Sequence, residues 1–157
     1  MKLLTLILGM SLICVSGVNA PLEMNESIQK NPRVFIISEN EMLFEELSKE
    51  YSKLMLEACD NDINKSSNEW VNMLFQMQKY SKRWNYDRLN GVKVWIKVFC
   101  DKRGRIKHIA YAVKPSSRTV DTELFSKFLE RFIRVHRMKI RTNSNFSHYT
   151  SASFPVR

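Results

Sequence analysis

Between Val92 and Cys100 the side chains alternate without a break. Val92, Val94, Ile96, Val98 and Cys100 stand at the even positions, and Lys93, Trp95, Lys97 and Phe99 at the odd ones. A period of two places each set on its own face of a strand. The even set is wholly apolar and belongs to a core, whereas lysines mixed with aromatics describe a half-covered face. Asp101-Lys-Arg-Gly104 follows as a short connection whose glycine is free to take positive φ. Arg105 to Val113 therefore returns as the partner strand. A chain with this hairpin must build a sheet, and the remaining sequence supplies elements to pack on it.

Those elements are legible from spacing. Arg33 to Ile37 is a short β-branched run that reads as a strand. Ser38 with Glu41 has the form of a capping box, and behind it Phe44, Leu47, Tyr51, Leu54 and Ala58 make one helical stripe. A helix over about 39–59 is predicted, ending at Cys59. Asp60 to Ser67 is a polar break; Asp60, Asp62 and Asn64 imitate a calcium loop, but Lys65 and Val71 occupy its glycine and glutamate positions. Ser66 and Glu69 form a second capping pattern, and Trp70, Leu74, Met77, Ser81 and Trp84 continue it as a helix to about residue 83. Asn90-Gly91 marks a turn. Asp121 caps a third helix whose face carries Leu124, Phe125, Phe128, Leu129, Phe132, Ile133 and His136, and Ser151 to Val156 reads as a last strand. The order is β-α-α-β-β-α-β, an α+β fold with a small antiparallel sheet and helices packed on one face. Residues 33–157 form a single domain.

The N-terminus has a different character. Lys2 precedes an uncharged apolar run, Leu3 to Val15, and small or polar residues follow to Ala20. That is the layout of a signal peptide over 1–20, too short for a membrane span. Pro21 opposes cleavage after Ala20, which leaves Ser16 or Gly17 as alternative sites, and Ile13 before Cys14 departs from a lipidation pattern. Residues 21–32 are polar, with two prolines, and read as a flexible lead-in. Loss of Lys2 lowers the net charge from +9 to +8. Charge of that sign and size promotes solubility and weak attraction to anionic surfaces. An exported, periplasmic or secreted protein is expected, with no stable membrane span after signal removal.

The block from Tyr80 to Val156 resembles the C-terminal domain of TonB-type energy transducers, in the divergent form found in Bacteroidetes. The resemblance is carried by Tyr80-Ser81, the strand from Gly91, the hairpin Asp101-Lys-Arg-Gly104-Arg-Ile106, Asp121-Thr-Glu-Leu124 and Phe154-Pro-Val156. Ser81 stands where the family has proline, the tryptophan-lysine-proline segment before the last strand is missing, and so is a long proline-rich linker. What the resemblance implies is a non-catalytic binding module that meets a protein or extended peptide by strand addition at a sheet edge. The partner-binding residues it implies are Ser151, Ser153, Phe154 and Val156 on the last strand, with Tyr80 nearby. The alternative is that the strand Arg33 to Ile37 already occupies that edge.

Other chemistry is weakly signalled. His108, His136 and His148 are far apart in sequence, so no metal motif exists, and no cofactor motif or nucleophile motif occurs. His108 with Lys107 and Arg105 could hold a phosphate, and His136 could interact as a cation with a helix C-terminus. The densest basic run, Arg131, Arg134, Arg137, Lys139 and Arg141, is explained by a solvated helix face, so nucleic acid is not the expected partner. A small secreted enzyme or binder acting on an anionic polymer is the competing class. Cys59 and Cys100 could pair as a disulfide in an oxidising compartment.

Overall fold

The computed structural model of the protein describes residues 31–84 and 86–156. The expected signal peptide, residues 1–20, and most of the expected lead-in lie outside these residues. In chain order the elements are β1 (Val34–Ile36), a 3-10 turn (Ile37–Glu39), α1 (Glu41–Glu50), β2 (Lys53–Leu54), α2 (Met55–Ala58) and α3 (Ile63–Arg83). A second 3-10 turn (Asp87–Leu89), β3 (Lys93–Cys100), β4 (Ile106–Val113), α4 (Thr122–Val135) and β5 (Phe146–Ser153) complete it.

The fold is α+β, built around the hairpin. β3 pairs antiparallel with β4, Ile96 opposite Tyr111 and Val98 opposite Ile109, with a register shift at Phe99/Cys100. β5 pairs antiparallel along the whole other side of β3, from Lys93 opposite Ser153 to Cys100 opposite Phe146. The last strand thus starts five residues before the expected Ser151. Two short strands join in parallel: β1 beside β4, and β2 beside the first two residues of β5. The order β1-β4-β3-β5-β2 makes the five-stranded sheet mixed, antiparallel at its centre as expected and parallel only where helices supply the long connection.

The even face of β3 is the main core. Val94, Ile96, Val98 and Cys100 lie with Ile109, Tyr111, Phe146 and Ala152 under Met73, Leu74 and Met77 of α3 and Phe125, Phe128, Leu129 and Phe132 of α4. The Tyr111 hydroxyl donates to Thr122 O at 3.0 Å and meets Ser126 Oγ at 2.8 Å, so this buried phenol is satisfied.

α1 packs on the opposite face, which corrects the expectation of helices on one face only. Leu47 of α1, with Tyr51 just after it, closes over Phe35, Phe99 and Ala110, and Phe44 meets the Phe99 ring edge-on at 6.4 Å. Phe99 is fully buried on the odd face of β3, so that face needs a cover there.

The predicted helix 39–59 is accordingly broken. Tyr51 ends α1 on one face, the chain crosses the sheet edge as β2, and Met55, Ala58 and Cys59 enter the main core on the other. One continuous stripe in sequence feeds two cores. Both capping boxes are also corrected. Ser38 sits in the 3-10 turn and Asn40 precedes α1 without a side-chain cap. Ser66 is buried within α3, whose cap is Asp62, accepting from Lys65 N at 2.9 Å. The Glu69 carboxylate accepts instead from Lys139 N at 2.9 Å, tying α3 to the segment after α4. Asp121 caps α4 as expected, accepting from Leu124 N at 3.0 Å.

Candidate functional site

The geometry of β5 follows from one hydrogen bond. Phe154 N donates to Val92 O at 2.9 Å, which makes this a hydrogen-bonded pair. Antiparallel pairs alternate, and the β3–β5 register is unshifted throughout. Residues 146, 148, 150 and 152 therefore bond β3, whereas Ser147, Tyr149, Ser151 and Ser153 direct their N–H and C=O groups outward. β2 is two residues long and reaches only Phe146 and Ser147. From Tyr149 to Ser153 this outer edge is unpaired among the described residues. β1 does not take it, because it lies at the far edge beside β4.

Around this edge Tyr149 is 53% exposed and Trp95, on the neighbouring strand, 40% exposed. Ser151 and Ser153 are exposed, and Lys114 Nζ donates to Ser151 Oγ at 2.6 Å while lying 5.1 Å from the Trp95 ring centre. Beneath α1 the same face is closed: Lys97 Nζ donates to Ser48 Oγ at 2.8 Å and lies over the rings of Phe44 and Phe99. Burial there pushes the Lys97 ammonium below its ordinary pKa. The free edge and the uncovered face thus coincide at the C-terminal half of β5.

Not every residue implied by the resemblance belongs to this site. Phe154 is 3% exposed and packs into the main core, so it cannot anchor a partner side chain. Val156 is half-buried, and its N–H donates to Gln78 Oε1 at 2.7 Å. Tyr80 lies against Phe128 and Phe132 on the helical layer, away from the edge. Tyr149, Trp95 and Lys114 were missed by the sequence. The period-two set Phe146, His148, Thr150 and Ala152 is the signal that would have extended the strand back to Tyr149.

The cysteines and histidines take different places from those expected. Cys59 and Cys100 are both free and buried, not bonded to each other. Cys100 Sγ instead contacts Met138 Sδ at 3.6 Å, and burial raises both thiols above their usual pKa, Cys100 the more strongly. The half-buried His108 holds Pro32 O at 2.9 Å through Nδ1. His136 stacks on Phe132 at 4.7 Å, and His148 lies 4.6 Å from the Trp70 ring. Burial lowers the pKa of both below the ordinary 6.5, with Glu69 partly opposing this at His136. The expected cationic helix-end role of His136 is therefore corrected: its backbone N–H bonds Phe132 O, and burial of the ring disfavours its cation.

This has a consequence for pH. Near 6.5 and below, the unfolded chain binds protons at these histidines that the folded chain refuses. Stability is full above that value and falls as pH drops toward the folded pKa values, by at most about 1.4 kcal/mol per pH unit per histidine. Denaturant titrations between about pH 7.5 and 5 should show this loss. The variant His136→Phe/His148→Phe should flatten it, and equal slopes in both proteins would contradict the assignment.

A mixed five-stranded sheet with α3 and α4 on one face, α1 on the other and, among the described residues, an open half-edge on its last strand makes this an α+β domain. Comparison with family models, with curated proteins and with solved structures finds no match for this chain.

Proposed function

We propose that this protein is an exported, non-catalytic binding module that takes an extended peptide or protein segment as an added strand along Tyr149 to Ser153. The observation that carries the reading is the outer edge of β5 beyond Ser147, unpaired among the described residues. An extended partner would satisfy the outward N–H and C=O groups there, gaining main-chain hydrogen bonds without distorting the β3 ladder. Ser151 and Ser153 are small enough to let a second backbone approach, and Tyr149 and Trp95 offer apolar surface to its alternate side chains. The resemblance of residues 80–156 to TonB C-terminal domains points to the same mode of contact, and the apolar run Leu3 to Val15 supports a periplasmic or secreted location.

The test starts from peptides selected for binding from a display library of unstructured sequences. Bound peptide should protect the amides of Tyr149, Ser151 and Ser153 from hydrogen exchange. Ser151→Pro removes an outward N–H but no bond to β3, and should abolish binding. Ser151→Ala and Arg134→Ala should bind as the parent does. Peptides that bind Ser151→Pro undiminished, or leave those amides unprotected, would overturn strand addition. Export is checked by the intact mass of the expressed protein, which should correspond to cleavage between Ser16 and Pro21.

A further inference from the structure

The basic run from Arg131 to Arg141 does not stay on one helix face. Arg131 stacks on Trp84, its guanidinium 3.3 Å from the ring centre, and Arg134 remains in the last turn. Arg137 and Arg141 go elsewhere. They join Lys102, Arg103 and Arg105 of the β3–β4 connection, and together with Thr142 these five cations line a depression of about 520 Å³. No acidic residue lines it.

The backbone holds this cluster in place. Met138 N donates to Gly104 O at 3.0 Å and Thr142 N to Lys102 O at 3.0 Å, and Arg105 forms a β-bridge with Arg137. Arg137 Nε donates to Arg103 O at 2.7 Å, fixing that guanidinium at the rim. The neighbouring carboxylate, Asp101, turns inward to the connection: its Oδ1 accepts from Arg103 N at 2.9 Å and Arg105 N at 3.0 Å. Among the described residues the ion pairs are Lys65–Asp60 and Lys127–Glu123, so none of the five cations has a carboxylate partner. Lys53 adds a sixth cation nearby, its Nζ donating to Thr142 Oγ1 at 3.1 Å.

Like charges gathered around one depression repel one another, and a bound anion relieves that repulsion. Guanidinium forks match the oxygens of a phosphate group, two donors to two acceptors. A depression of this size takes a small group rather than a long polymer. We propose that it binds a compact, multiply charged phosphate group of the diphosphate kind, free in solution or at the end of a larger molecule. The site lies at the Phe146 end of β5, remote from the open edge, so it stands independently of strand addition.

Titration of the protein with inorganic pyrophosphate at low salt tests this. Binding should shift the amide resonances of residues 102–105 and 137–142, and orthophosphate should bind about tenfold more weakly. Arg105→Gln/Arg141→Gln should weaken pyrophosphate binding at least about tenfold. Lys79→Gln/Arg83→Gln, which removes the same charge from exposed positions of α3, should leave it near the parental value. Vesicles containing phosphatidic acid distinguish the source: retention that pyrophosphate displaces assigns the group to a lipid, and pyrophosphate binding without retention assigns it to a soluble ligand. No pyrophosphate binding at millimolar concentration, shifts spread over the surface, or equal weakening in both variants would overturn the site.

Discussion

Gly104→Ala should destabilise the domain by about 3–5 kcal/mol, a loss at the upper end for a single substitution. Gly104 has φ +76°, and a Cβ built there would stand 2.3 Å from Met138 O and 2.7 Å from Ile140 O. Both contacts are backbone atoms and cannot rotate away. The left-handed conformation alone costs about 1–2 kcal/mol in a residue with a side chain. Displacing the 138–142 segment would also break the Met138–Gly104 and Thr142–Lys102 hydrogen bonds, each worth about 1 kcal/mol. Gly91 is the internal comparison. It too has positive φ, +82°, but its added Cβ would meet the flexible Arg118 side chain at 3.2 Å. Gly91→Ala should therefore cost about 1–2 kcal/mol. Guanidinium denaturation of both variants measures the difference, and equal losses would show that the close approach at Gly104 has been misjudged.

Phe99→Ala should cost about 3–5 kcal/mol, and its effect should be local to one face of the sheet. The ring is fully buried between Tyr51, 5.5 Å away edge-on, and Phe44 at 6.4 Å. With Phe35 it is one of two phenylalanines that the sheet buries against Leu47 and Tyr51. Without it, the cluster of Phe35, Leu47, Tyr51 and Ala110 surrounds a cavity, whereas the α3 and α4 contacts are untouched. Hydrogen exchange should accelerate at Glu41–Glu50 well before it does at Thr122–Val135. Val98→Ala, one residue away on the other face, should show the reverse order. Uniform acceleration in both variants would mean that the two faces do not open separately.

These two expectations mark where local reading ends. Alternation in Val92–Cys100 is a local property, and it established β3, its core face and the hairpin. Spacing likewise gave α4 with its Asp121 cap, most of α3 and the α+β class. The stripe from Phe44 to Ala58 could not reveal its own break, because apolar residues at intervals of three and four serve equally whether they meet one surface or two. Only the demand for a cover over Phe99 separates Leu47 and Tyr51 from Met55 and Ala58. Phe154 and Tyr80 were assigned to an edge through the resemblance, yet both pack inward, since which side chain fills a core depends on the elements opposite it.

The candidate edge divides in the same way. That the chain would form a sheet of few strands, with its last strand near the C-terminus, was written in residue order. Which edge stays open was not. It depends on β1 choosing β4, and on β2 stopping after Leu54, pairings between residues 75 and 93 positions apart in the chain. The arginines of the hairpin and of the segment after α4 are likewise ordinary surface charges in sequence. Strand alternation and helix spacing are set by backbone geometry within a few residues, so the sequence by itself determined them. Face, edge and charge convergence arise from contacts between distant segments, and those only the tertiary structure decided.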